Sequence, residues 1–468
     1  MAEAVAAGLA RLKAEMELPS EHPPGAMADA QQAATAPDPF SATRVDRRDL
    51  ELITIDPIGS TDLDQAVAIQ RRGDGYRVHY AIADVASFVR PGGPLDQSTL
   101  ERGVTLYAPD ERIPLHPPVL SEHAASLLEG QDRRAVLWQL DLDAAGVLVS
   151  ADARRATVRS RAQLDYSEVQ SRIDEGRASE CEQLIAEVGP LREEIERDRG
   201  GISLNLPDQQ VRLTEEGVDL HYDETLPIEG WNAQISLLTG IAAAEIMVES
   251  GVGLLRTLPP IQARTLAEIR AAAIHLGIDW PGDESYAATV SALDPTRADH
   301  AALLSHAVRA FRGAGYLAFA DEHPTEAVHG ALATTYAHVT APLRRLCDRH
   351  ATECVLAACA GDTPPDWARQ ALPELPEIMG RARRREGQLE RSVADLAEAV
   401  ILTPEVGRTF EAMVTSADER RSDVTLLDPA VITRIDTVGL TPGTTVRLRL
   451  DSVDLEARSL DFSVAEAP

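Results

Sequence analysis

ELITIDPIGSTDLDQAVAIQ, residues 51–70, sets three aspartates between two apolar runs. Leu52, Ile53 and Ile55 read as a strand entering a loop, and Val67 and Ile69 as a strand leaving it. The insert Pro57-Ile58-Gly59-Ser60-Thr61 breaks both the strand and the helix period, so it must turn. Asp62 and Asp64 are two apart and share a face in extended chain. A tight loop brings Asp56 back beside them. Three adjacent carboxylates repel, and burying them unpaired is costly. A hard dication removes that cost, and an oxygen-rich donor set suits magnesium or manganese. The plainer alternative is a solvated acidic loop, but the flanking apolar strands favour a metal site. A calcium loop of the EF-hand kind does not fit, because the positions two and four after Asp56 are Ile58 and Ser60.

Working outward, 468 residues with 44% hydrophobic content allow a large domain plus one or two small ones. No run of eighteen apolar residues occurs, so no membrane span is expected. The N-terminus has no basic-then-apolar signal pattern. Four cysteines without a CxxC imply free thiols and a cytoplasmic location. Cys347 and His350 form a CxxH with no second pair, which reads as core packing. The net charge of −30 argues against a generic polyanion binder, though not against one with a local basic channel. Lys13 is the only lysine, so the positive charge is almost all arginine, the side chain that grips phosphate bidentately.

Residues 2–17 read as a short helix, and 18–41, rich in Pro, Ala, Gln and Ser, as a linker. Strands are expected at 76–84, 134–143 and 153–160, joined by hairpin turns, with a Pro-broken loop at 103–128. This predicts an antiparallel sheet of hairpins surrounded by helices, an α+β fold. Helices are predicted at 228–250, 265–276, 298–311, 343–360 and 374–402, the last carrying Arg381, Arg383, Arg384 and Arg385. That arginine cluster reads equally well as a solvated face or a phosphate-facing one. Five short strands, at 409–417, 423–427, 431–435, 445–450 and 459–464, fit a small OB-type barrel. Its few aromatics, Phe410 and Phe462, imply only modest base stacking. The expected domains are 1–41, a helix and linker; 42–404, catalytic; and 409–468, the barrel.

IDPIGSTDLDQA resembles the metal-binding signature of the ribonuclease II (RNB) family of exoribonucleases, an Asp, five residues, then Asp-x-Asp-Asp. Asp56, Asp62 and Asp64 match the first three acids, and Gln65 stands at the fourth. YAIADVASFV, GVTLYAPDERIPLHPPVLSE, TYAHVTAPLRRLCDR and the pair Glu390-Arg391 follow in the family's order. The resemblance implies a magnesium-dependent, processive 3′→5′ exoribonuclease that hydrolyses single-stranded RNA to nucleoside 5′-monophosphates. Manganese is the expected substitute metal, and a monomer the expected state. It implies that Asp56, Asp62, Asp64 and Gln65 hold the metal. Tyr107 would stack on a base near the 3′ end, Arg344 and Arg345 would grip phosphate, and Glu390 and Arg391 would lie near the terminal nucleotide. Asp62, Asp64 and Arg344 would be catalytic. The family pattern has Ser where Ala341 stands and Tyr where Leu346 stands. No second aromatic clamp is visible around 251–257. The family usually carries two cold-shock domains ahead of the catalytic domain, and residues 1–41 are too few to form them.

Taken without the resemblance, Arg344 could be a helix-starting arginine paired with Asp348 at i+4, and Tyr107 a core tyrosine with a satisfied hydroxyl. The second functional reading is a catalytically impaired RNB-like RNA-binding protein, to which Gln65 lends weight. A third, an acidic scaffold, rests on charge alone.

Overall fold

The computed structural model describes the whole chain except residues 1, 203–207, 215–216, 224, 282–284, 295–296, 308–310, 312, 326, 418–420, 427–428, 430, 438 and 467–468. Its centre is a six-stranded sheet in the order Val45–Asp46, Leu148–Asp165, Leu52–Asp56, Gln65–Arg72, Gly75–Ala83, Asp132–Leu142. The 18-residue strand Leu148–Asp165 serves two edges. Its first part pairs antiparallel with Asp132–Leu142, and its end runs parallel to Leu52–Asp56, in register Asp56↔Asp165. The sheet therefore curls back on itself. The expected hairpins are present, but the two pairings at the Leu52 side of the long strand are parallel. A strand this long runs past its hairpin partner and meets the neighbours it was never joined to by a turn.

Alternation places Ile53, Ile55, Val67, Ile69, Tyr80, Ile82 and Trp138 in one core, all buried. Against that core pack the helices Pro227–Ser250, Leu346–Ala360 and Leu375–Leu402. Pro227 opens the first of these at a position where its missing N–H costs nothing. The predicted helix over 298–311 is helical at Ala298–Ala307, and residues 308–310 lie outside the described residues. Among the described residues no helix is long and apolar enough to cross a membrane.

Three local readings change. The segment 18–41 is not all linker, because Pro24–Thr35 is a helix with Ala26 and Ala30 buried against Phe88, Val89 and Leu95. Its alanines are strong helix formers as well as linker residues, and Pro24 presets its first turn. The loop at 103–128 holds a hairpin, Leu106–Tyr107 with Arg112–Ile113, and a π-helical turn at Val119–Ala124. The helix predicted from 343 begins at Leu346, with Arg345 extended at its N-cap.

The C-terminal part is a five-stranded antiparallel sheet in the order Ile432–Ile435, Ser422–Leu426, Thr409–Ala417, Thr445–Asp454, Ser459–Glu466. Residue 427, expected in its second strand, lies outside the described residues. Phe410 and Phe462 meet edge to face inside it, with centroids 6.3 Å apart, and both are buried. They hold the barrel together and are not available for stacking on bases.

Candidate active site

The loop after Leu52–Asp56 turns on Gly59, whose φ of 82° is open to glycine and strained for other residues. Ser126 then suspends it: the Ser126 hydroxyl donates to the Thr61 carbonyl at 2.7 Å and accepts from the Leu63 amide at 2.9 Å. Leu127 N–H closes the same contact on the Leu63 carbonyl at 3.0 Å. Leu63 is fully buried, so Asp62 and Asp64 flank an apolar anchor.

The turn carrying the arginines is brought in from the far end of the chain. Gly103, at φ 74°, ends the helix Pro94–Arg102, and a Cβ there would lie 2.7 Å from the Ala382 methyl. Its carbonyl accepts from Leu346 N–H at 2.9 Å, Val104 bridges Arg345, and Thr105 N–H donates to the Arg344 carbonyl at 2.9 Å. Residues 103–107 thus deliver Tyr107 and Arg344 together. The buried His116 ring contacts the Pro342 carbonyl at 3.2 Å and steadies the same turn.

Asp64 is 3% exposed, accepts from Leu343 N–H at 2.8 Å and lies 3.3 Å from Arg344 Nε. Burial pushes its carboxyl up to about 7, against the pull of Arg344. Burial likewise pushes Asp56 up to about 6, and Asp62 adds to that. The Asp56 Oδ2 is buried with no hydrogen-bond partner. Asp62 is held by Arg112, which also reaches Glu122 at 2.6 Å and the Thr61 hydroxyl at 3.0 Å. Burial opposes the Arg344 charge, yet Asp64 keeps that guanidinium above its ordinary value. Tyr107 is half exposed, and burial of its hydroxyl end, with Asp62 nearby, pushes it up to about 12.

The donor chemistry fits a divalent cation: an orphaned buried carboxylate oxygen on Asp56, a second acid raised by desolvation, and mutual repulsion with Asp62. The oxygens of the three acids do not all converge within 4.8 Å among the described residues. His338, Cys347 and Asp348 do converge to that distance. They form an internal knot instead: the His338 ring meets the Tyr316 hydroxyl at 2.8 Å, and Asp348 is neutralised by Arg345.

Other expected residues fall differently. The Gln65 amide donates to the Thr340 carbonyl at 2.7 Å and its oxygen accepts from the Tyr80 hydroxyl. Both ends are engaged by protein, so Gln65 ties strand to turn where a metal ligand was expected. Arg345 grips Asp348 through Nε at 3.0 Å and Nη2 at 2.8 Å. The Asp348 pairing weighed for Arg344 thus belongs to Arg345, and Arg345 is not a free phosphate grip. Tyr107, half exposed, is not a core tyrosine. Glu390 and Arg391 are exposed on the long helix, while Glu386 and Arg383, nearer its start, line a cavity of 230 Å³ with Tyr107, Arg344, Arg256 and Tyr316. Sequence reasoning missed Glu386, Arg112 and Ser126. Arg112 lies in the stretch 103–122 that resembles the family, which was the signal available, and Ser126 lies just beyond it.

Residues 44–359 match the model of the RNB domain, and 408–465 that of the RNase II-type exonuclease C-terminal S1 domain. Ribonuclease R of Escherichia coli is 28% identical over 480 residues, a match covering 92% of this chain and 58% of that protein. The chain thus spans little more than half the length of that relative. The structure of Mycoplasma genitalium RNase R in complex with ribose methylated single-stranded RNA superimposes with a TM-score of 0.85 at 17% identity, covering 98% of this chain and 78% of that one. Yeast Ssd1, described as a pseudonuclease, shares the fold at a TM-score of 0.70 and 16% identity, covering 87% and 52%. With the RNB match spanning most of the chain and the acidic loop, Tyr107 and the arginine turn in place, this protein belongs to the RNB family and carries an RNase II-type C-terminal S1 domain.

Proposed function

We propose that the protein is a 3′→5′ exoribonuclease that hydrolyses single-stranded RNA processively to nucleoside 5′-monophosphates. The observation that carries the reading is the half-exposed Arg344 guanidinium, set against buried Asp64 and beside Tyr107 at one cavity. Asp56, Asp62 and Asp64 would hold magnesium, or manganese in its place. Bound there, such ions supply an activated water and stabilise the leaving oxyanion. Arg344 meets the charge that grows on the phosphoryl oxygens. Tyr107 offers an exposed ring to a base. The unit at 42–404 performs the chemistry. The barrel at 409–468 adds grip on longer strands through backbone contacts, its two phenylalanines being internal. Action as a monomer in the cytoplasm accompanies this reading.

The test uses 5′-labelled single-stranded RNA with magnesium or EDTA. The expected result is a ladder shortening from the 3′ end, with monophosphate products, lost in EDTA. Asp64→Asn should abolish hydrolysis and leave RNA affinity within several-fold. Cleavage of a circular RNA, or full turnover in Asp64→Asn, overturns the proposal. A second reading, an RNA-binding protein that does not cut, is favoured by Gln65, which brings no charge to the metal site and is tied to Tyr80 and Thr340. RNA binding without cleavage at any metal concentration selects it.

A further inference from the structure

Beyond Tyr107 and Arg344, the 230 Å³ cavity ends on a wall that a neutral 3′-hydroxyl does not require. Arg256, on the strand Val252–Thr257, is 6% exposed. Its backbone N–H is fixed on the Tyr336 carbonyl at 2.8 Å, and its Nη1 donates to the Gly315 carbonyl at 3.1 Å. The guanidinium lies over the Tyr316 ring, 4.8 Å from its centroid. Among the described residues no carboxylate lies within ion-pair distance of Arg256. A buried charge without a counter-ion costs several kcal/mol. Arg383 adds a second guanidinium to the same wall. Of the acids around the cavity, Asp64 faces Arg344 and Asp348 is held by Arg345. Glu386 is the carboxylate that lines the cavity with these arginines, and burial, with Glu390 one turn on, pushes it towards the neutral form. The wall sets the two guanidiniums of Arg256 and Arg383 against one lining carboxylate.

We infer that this wall receives a second anionic group, the 3′-phosphate of an RNA end, so that 3′-phosphorylated strands are substrates and leave a nucleoside 3′,5′-bisphosphate as first product. The inference rests on the exoribonuclease reading and names a substrate class for it. Water adds to the phosphorus joining the last two nucleotides. The bond from that phosphorus to the 3′-oxygen of the shortened strand breaks, and that oxygen keeps the electron pair and takes a proton. The terminal nucleotide departs with the 5′-phosphate made by the cut and the 3′-phosphate it already had. Arg256 and Arg383 grip the latter, and guanidinium forks suit phosphate.

The experiment compares 5′-labelled 20-mers of one sequence ending in 3′-hydroxyl or 3′-phosphate, with wild type, Arg256→Gln and Arg383→Gln, the variants checked by melting temperature. Binding of both RNAs in EDTA is measured in parallel, so that a protein that fails to cut still decides the question. Wild type is expected to bind the 3′-phosphate end three- to tenfold tighter and to degrade it at least as efficiently, releasing the bisphosphate first. Arg256→Gln should shift the preference at least tenfold towards 3′-hydroxyl ends. Arg383→Gln, on an exposed helix face, should shift it in the same direction and covers the case in which Arg256→Gln does not fold. Equal binding of the two ends by wild type, a tenfold block of cleavage by the 3′-phosphate, or a preference unmoved in both variants overturns the inference. So does adenosine 5′-monophosphate erasing the preference at concentrations where adenosine 3′,5′-bisphosphate has no greater effect, because the wall then holds the product's 5′-phosphate. Loss of cleavage of both RNAs with the binding preference intact sinks the exonuclease reading and the substrate claim that rests on it, and leaves the wall as a site for a 3′-phosphate end.

Discussion

Two ion pairs sit on one turn and are built to opposite ends. Arg345 faces Asp348 through two nitrogens, and Asp348, fully buried, also accepts from Ala341 N–H at 2.7 Å. Arg344, its neighbour in sequence, meets Asp64 through a single contact at 3.3 Å and leaves about half its side chain exposed. Both arginines line the cavity, but the first spends two nitrogens on its carboxylate and the second makes one contact. Adjacent residues of one type thus divide into a strut and a tool, and the difference lies in how many donors the protein itself consumes.

The largest effect should come from breaking the strut. Arg345→Ala strands a buried Asp348, and loss of one partner of such a pair costs about 3–5 kcal/mol. Urea unfolding should show that loss; a drop below about 1 kcal/mol would mean Asp348 finds other partners. Next comes the tool. Arg344→Ala should lower kcat about 10²–10³-fold, the size seen on removing one donor aimed at developing charge. Its unfolding midpoint should stay near wild type, and equal damage to stability would erase the distinction between the two arginines. Gln65→Asp should cost about 1–3 kcal/mol by leaving the Thr340 carbonyl without its donor. Its magnesium requirement should not fall. A lower half-saturating magnesium concentration at unchanged melting temperature would return Gln65 to the metal shell. The smallest effect near neutral pH concerns His116, which braces the turn at Pro342. Burial holds its ring down to about 3, below an unfolded value near 6.5. Its contribution is therefore whole above pH 6.5 and is lost as pH falls towards 3, with a slope up to about 1.4 kcal/mol per pH unit. His116→Gln should flatten that acid limb in melting curves from pH 7 to 4.

The acidic loop was legible because its chemistry is local: three acids, a turn and two strands fall within twenty residues. The barrel was legible through its alternation. What sequence hid was partnership across distance. Arg344 and Arg345 have the same side chain, and i+4 spacing pointed to the wrong one for Asp348 because the helix starts two residues after Arg344. Gln65 followed the acids in line and so looked like a ligand, but its fate depends on Tyr80 and Thr340. Glu390 is named by the resemblance, whereas Glu386 has no motif of its own, because helical periodicity does not say which turn stands at a cavity. The Pro24–Thr35 helix was hidden by a composition that linkers share.

The contact from Leu343 to Asp64 joins residues 279 apart in the chain, and that from Gln65 to Thr340 joins residues 275 apart. Closing such loops costs entropy that grows only slowly with length, but it slows folding. A growing polypeptide that has not yet passed residue 340 holds all three acids and neither arginine. The candidate site therefore cannot be complete before Arg344 is made, when nearly three quarters of the sequence has been synthesised. If the proposed activity is present, a nascent chain still attached to its own messenger lacks it for most of its synthesis.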